Sequence, residues 1–293
     1  MKVAEVAEHR VRSFDGTRIA YHAVGEGLPI LLCNGLGGSW QAWSHQIDYL
    51  GDRYRFLSWD YRGLYGSELP ASQAALTIED HARDALAVLD AQGADQVALF
   101  GWSMGVQVAL EIHRLAPERV GSLMLMNGVA GDPWRSVLNL GAMQHVLPPM
   151  IRGLGSVPRI IEALTRRVVR QPETMLWAKR IGLAAPTLDE AIFAQLAGSF
   201  ADLDMAVYLR ILERLGEHDA WGTLGQVRVP TLVITGGRDL FTPRRAAERM
   251  AAEIGAAEIM VVPEGTHYVA VEFPERVNLR IEKFFRERGY VAP

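Results

Sequence analysis

Short apolar runs ending in glycine or a turn residue recur along the chain and alternate with stretches of helical spacing. LPILLCNG (28–35), YRFLSWD (54–60), QVALFG (96–101), VGSLMLMNG (120–128), PTLVITGG (230–237) and AEIMVVPEG (257–265) read as buried strands. Apolar residues at helical spacing predict helices over 40–50, 77–92, 104–115, 243–254 and 274–287. Thr77-Ile78-Glu79-Asp80 has the form of a helix start, with Thr77 as cap and Asp80 three residues on. Ahead of the first run, 5–13 and 17–24 flank Asp15-Gly16, a turn dipeptide that predicts a hairpin. Strands alternating with helices predict a mostly parallel sheet covered on both faces, with the hairpin adding antiparallel strands at one edge.

The alternation stops between about 132 and 226, where no comparable strand run occurs. That stretch holds Pro148-Pro149, Pro158, Pro172 and Pro186, with helical spacing over 175–183 and 191–215. It reads as a helical insertion, not a linker. The expected organisation is therefore a core of 1–131 and 227–293 interrupted by a helical unit of 132–226. No internal repeat or low-complexity tract is present.

Composition narrows the function. Thirty basic against 34 acidic residues give a net charge of −4, which excludes a broadly basic nucleic-acid surface. A hydrophobic share of 49% with 22% charged residues fits a globular chain and not a disordered one. The single cysteine, Cys33, excludes an internal disulfide and any multi-cysteine metal site. No run reaches the roughly 18 apolar residues of a membrane span, and MKVAEVAEHRVRSFDG lacks the apolar core of a secretory signal, so a cytoplasmic location is expected.

The candidate chemistry begins at Gly101-Trp102-Ser103-Met104-Gly105, which follows one strand and opens the helix VQVALEIHRL. G-x-S-x-G alone is a weak pattern; in a strand–turn–helix context it becomes specific. A serine on so sharp a turn takes a strained backbone, its neighbours must be small, and the helix N-terminus favours developing negative charge. The simpler alternative is a helix-capping serine. No two histidines have H-E-x-x-H spacing, so no catalytic metal is expected.

With that turn and its context, the chain resembles the α/β-hydrolase family over nearly its whole length. The resemblance implies a mostly parallel eight-stranded sheet with helices on both faces and an inserted helical cap over 132–226. It also implies a nucleophile, acid and histidine in that order, here Ser103, Asp239 in GGRDLFTP and His267 in PEGTHYVA, each just past a strand. Asp132 is the rival acid. The oxyanion hole would use the N–H groups of Met104 and of Leu36, the latter in Cys33-Asn34-Gly35-Leu36-Gly37-Gly38, with Asn34 in place of the usual histidine. Asp60-Tyr61-Arg62-Gly63-Leu64-Tyr65-Gly66-Ser67 resembles the family's D-x-R-G-x-G-x-S turn, with Tyr65 in the second glycine's place, and Asp60 and Arg62 are read as structural.

Together these imply a serine hydrolase cleaving a small or medium carboxylic ester with an apolar acyl part, without a cofactor. The partner expected is a small ester-like molecule, with no nucleic acid and no membrane span. Alternatives are a carbon–carbon bond hydrolase of a dienoate-type acid, a lactonase or thioesterase, and, outside enzymes, a ligand receptor on the same fold. Expected pocket residues are Trp102, Trp134, Met143, Trp177 and Phe193, with Leu147, Met150, Leu154, Met175 and Phe200 as further candidates. Arg166, Arg167 and Arg170 form a basic cluster that is either a solvated helix face or a carboxylate-recognition group.

Overall fold

A computed structural model describes residues 6–137, 140–169, 171 and 173–290. Its centre is an eight-stranded sheet ordered β1-β2-β4-β3-β5-β6-β7-β8. The strands are β1 (Ala7–Arg12), β2 (Arg18–Val24), β3 (Leu28–Cys33), β4 (Tyr54–Trp59), β5 (Val97–Trp102), β6 (Val120–Met126), β7 (Thr231–Gly236) and β8 (Ala257–Val262). β1 and β2 pair antiparallel, as does β2 with β4, and every other pairing is parallel. The predicted edge hairpin and parallel body are both present.

Alternation along each strand sends successive side chains to opposite faces. Leu31, Leu57, Leu99, Leu123 and Val233 pack on one side with α2 (Ile78–Ala91), α3 (Met104–Leu115) and α9 (Arg244–Ile254). Ile30, Leu32, Phe56, Phe100, Met124 and Ile234 pack on the other with α1 (Ser44–Leu50), α10 (Val269–Glu272) and α11 (Pro274–Arg288). Each such side chain, removed from water, contributes about 2 kcal/mol of transfer free energy. The Thr77 capping box forms as predicted: Asp80 N–H donates to Thr77 Oγ1 at 3.1 Å and Thr77 N–H to Asp80 Oδ2 at 3.0 Å.

Between β6 and β7 the chain makes α4 (Met143–Gly155), α5 (Pro158–Val169), α6 (Glu173–Arg180), α7 (Glu190–Ala201) and α8 (Met205–Leu215). The helical spacing over 191–215 is not one helix. It breaks between α7 and α8, whose axes differ by 104°. Asp204 starts the second, its carboxylate accepting from Ala206 and Val207 N–H at 2.8 and 3.3 Å. Nor does this segment have a core of its own throughout. Met205, Val207, Ile211 and Leu215 of α8 join the cluster that covers one face of the sheet. Among the described residues no single helix is long and apolar enough to cross a membrane.

Candidate active site

The parallel strands β3, β5, β7 and β8 each end in a loop that carries one predicted group. Ser103 follows β5 at φ 56° and ψ −119°, a conformation costly for a residue with a Cβ. Its side chain makes no capping bond to α3, so the capping alternative fails. The glycines around it are sterically required: a Cβ on Gly101 would lie 2.6 Å from Gly105 O, and one on Gly105 1.9 Å from Cys33 O. Ser103 N–H donates to Met126 O at 3.0 Å, tying the turn to the end of β6.

His267 and Asp239 meet, with His267 Nδ1 2.9 Å from Asp239 Oδ2. Asp239 is almost wholly buried and its oxygens are filled. Oδ1 accepts from Phe241 and Thr242 N–H at 2.8 and 3.0 Å, and Oδ2 also accepts from Thr242 Oγ1 at 2.6 Å and Asn127 Nδ2 at 2.8 Å. Burial pushes this carboxyl up. The adjoining His267 charge and the bonds from His267 and Thr242 outweigh it and hold the group below its ordinary value. Asp132 is elsewhere engaged: Oδ1 accepts from Trp134 N–H at 2.8 Å and starts a short helical turn. Burial holds its carboxyl above the ordinary value.

Trp102 joins the loops, its indole Nε1–H donating to His267 O at 3.0 Å. The structure shows no hydrogen bond from Ser103 Oγ to His267, a link that in enzymes without substrate is often long. Glu272 braces the histidine loop. Its buried carboxylate accepts from Thr266 N–H at 2.7 Å and, across the insertion, from Ala185 N–H at 2.8 Å.

Among the described residues, Leu36 and Met104 N–H have no backbone acceptor. The loop carrying Leu36 is held by its other groups. Asn34 Nδ2 donates to Ser58 Oγ at 3.0 Å, Asn34 Oδ1 accepts from Trp43 Nε1 at 3.0 Å, and Asn34 O accepts from Tyr61 OH at 2.6 Å. The asparagine therefore braces the loop through its amide. Arg62 is structural: fully buried, it holds Asp84 at 2.5 Å and Asp15 at 3.0 Å. Burial pushes the Cys33 thiol far up, so it supplies no thiolate.

Tyr65 holds the loop as well. It sits at φ 49° where the resembled turn has glycine, and its OH donates to Gly37 O at 2.6 Å. Such strain persists only where neighbouring contacts impose it. Tyr65→Phe removes a bond worth about 1 kcal/mol. Should the Leu36 N–H serve an oxyanion, as the resemblance implies, that loss would lower kcat about fivefold with KM little changed. Steady-state kinetics check it, and an effect on KM alone would place Tyr65 in binding.

A cavity of about 710 Å³ opens beside these loops. Leu36, Trp102 and Tyr268, neighbours in sequence or identity of the site groups, line it together with Met175, Phe193 and Phe200. Three expected pocket residues lie elsewhere. Trp134 is buried against Ile151 and Leu209, between α4 and α8. Met143 starts α4 and is absent from the lining. Trp177 is exposed on α6, with the Arg180 guanidinium 5.7 Å from its ring centre. Of the basic cluster, Arg166 turns to Glu162 and Ala201 O, and Arg170 lies outside the described residues. Among the described residues no group of three or more His, Cys, Asp or Glu is placed to hold a metal.

Sequence reasoning missed Asn127, Thr242 and Glu272, and it named Tyr65 only as a departure from the resembled turn. Asn127 carried a signal: Asn-Gly closes the β6 run, and Asn127 takes φ 46°.

A family model described as the alpha/beta hydrolase fold matches residues 29–274. The chain is 32% identical over 266 residues to the dihydrolipoyllysine-residue acetyltransferase component of the acetoin cleaving system of Pseudomonas putida, covering 89% of this chain but only 64% of that protein. It is 26% identical over 265 residues to a Rhizobium rhizogenes protein named "Putative carbamate hydrolase RutD", covering 89% and 94%. The solved structure of the esterase EaEST from Exiguobacterium antarcticum superposes with a TM-score of 0.78 at 21% identity, covering 96% and 100%, a likeness of fold.

Proposed function

The chain belongs to the alpha/beta hydrolase fold family, and we propose that it is a serine hydrolase of neutral carboxylic esters with an apolar acyl part. The observation that carries this reading is Ser103, strained at φ 56° on the strand-to-helix turn, in the same loop cluster as a His267–Asp239 pair 2.9 Å apart. With Nδ1–H donated to Asp239, His267 keeps a lone pair on Nε2 for the proton of Ser103. Ser103 Oγ attacks the acyl carbon, and the oxyanion takes the N–H groups of Leu36 and Met104. His267 returns the proton to the leaving alcohol. A water deprotonated by His267 then frees the acid and regenerates Ser103.

The cavity favours neutral substrates. Among its described lining residues the only charged one is Glu190, which pairs with Lys179. A dienoate carboxylate would find no cationic side chain among those described lining residues, which weighs against the carbon–carbon hydrolase. Turnover of p-nitrophenyl esters across acyl lengths, with a lactone, a thioester, a carbamate and a dienoate, tests the reading. No turnover of any of them would favour a receptor.

The insertion would select the acyl group as a cap. Phe193 lines the cavity and meets Tyr268 edge-on at 5.2 Å. Phe193→Ala should shift the preferred acyl length, since one methylene in a pocket is worth roughly 1–3 kcal/mol of discrimination. Turnover of p-nitrophenyl acetate should stay within about tenfold, far from the loss of a nucleophile. The comparison is kcat/KM along an acyl series, and uniform loss at every length would show that Phe193 supports the fold instead.

A further inference from the structure

Helix α5 turns an apolar face outward. Val157, just before the helix, and Ile160, Leu164 and Val168 within it recur at i, i+3, i+7 and i+11, a single helical stripe, and are between 40 and 65% exposed. The inward residues behave differently: Ile161 packs on the core and Val169 lines the cavity. α6 and the residue just past it add Leu176, Trp177 and Ile181 to the exposed apolar set. An exposed apolar patch of this kind on a globular body marks an interaction surface.

Charge says what fits it. The stretch 135–181 holds eight arginines and lysines against two acidic residues, within a chain that is acidic overall. Arg159, Arg167 and Arg180 make no ion pair among the described residues. A symmetric pairing of two copies through this face would set one basic patch against another. An apolar stripe flanked by unpaired arginines, with a tryptophan at its rim, matches the boundary between anionic headgroups and acyl chains.

We propose that α5 and α6 dock the protein on an anionic lipid surface, from which apolar substrate reaches the cavity beside Ser103. The second clause rests on the serine-hydrolase reading; the docking does not. Val169, Gln171, Thr174 and Met175, at the junction of α5 and α6, line the cavity, so the helices that would meet lipid on their outer face form part of the cavity wall on their inner one. No helix inserts across the bilayer in this arrangement.

The experiment is sedimentation of the full chain with vesicles of phosphatidylcholine alone or with about a third phosphatidylglycerol. Binding is expected to the phosphatidylglycerol vesicles and to fall with added salt. Leu164→Asp should abolish it. Arg159→Gln, Arg167→Gln and Arg180→Gln should each weaken it about fivefold, the contribution of one basic side chain near an anionic surface. All four variants should turn over dissolved p-nitrophenyl acetate like the parent, which shows them folded. No vesicle binding by the parent, equal binding to both vesicle types, or binding undiminished by Leu164→Asp would overturn the proposal. A dimer in ultracentrifugation that Leu164→Asp breaks, without vesicle binding, would do so in favour of self-association. Because vesicle binding is read without turnover, an inactive parent that still binds would sink only the catalytic reading.

Discussion

Replacing Ser103 by alanine is expected to lower kcat for an activated ester by a factor on the order of 10⁶, the loss typical of removing a nucleophile. The fold should survive. Ser103 Oγ makes no capping bond, and the turn is held by backbone contacts: Ser103 N–H to Met126 O, Val106 N–H to Ser103 O at 3.0 Å, and the close packing of Gly101 on Gly105. The melting temperature should therefore shift little. Circular dichroism and a p-nitrophenyl ester assay on the same preparation separate the two effects. Residual rate above the water reaction is expected from the oxyanion donors alone. Turnover near the parent rate would remove Ser103 from the chemistry.

The sheet was legible because its central strands are buried on both faces. β5 and β6 are apolar at nearly every position, and such runs separated by helical spacing leave few architectures open. The break between α7 and α8 was not legible as a break. No Gly or Pro stands at 202–204 to mark it, and only the backbone turn makes Asp204 a cap. Periodicity also names the apolar face of a helix without naming what covers it. Hence α8, inside the insertion by sequence, shares its core with the sheet, while the α5 stripe faces solvent.

The groups of the candidate site on strand-end loops could be placed because the sheet brings those ends together. Their supports could not. Thr242 and Glu272 are ordinary polar residues until the fold sets them against Asp239 and Thr266. Trp134, Met143 and Trp177 were chosen for bulk, and bulk does not say which helix face meets the cavity. Phe193 was chosen on the same ground and does line it. The difference lies in helix rotation, which tertiary packing sets.

Asp239→Asn is expected to lower kcat by roughly 10⁴, and Asp132→Asn to leave it almost unchanged. The environment of Asp239 explains the size. Oδ2 receives His267, Thr242 Oγ1 and Asn127 Nδ2, while Oδ1 receives two N–H groups. An asparagine has one carbonyl oxygen, which the two N–H groups would hold. Its NH₂ would then face His267 Nδ1 and force that nitrogen to accept. The proton would sit on Nε2, where Ser103 needs a base. Asp132 serves a turn instead, so its loss should appear as a small change in stability. The acid limb of stability offers an independent check. A carboxyl whose folded pKa is lowered contributes stability above its unfolded value, and loses it as pH falls through the folded one. Asp239→Asn should therefore be less stable than the parent at neutral pH, with the difference shrinking toward strong acid. Denaturant titrations at several pH values, beside kcat for both variants, decide the assignment. Should Asp132→Asn be the crippled variant, the acid belongs after β6, and the Asp239–His267 pair serves only to hold the loops.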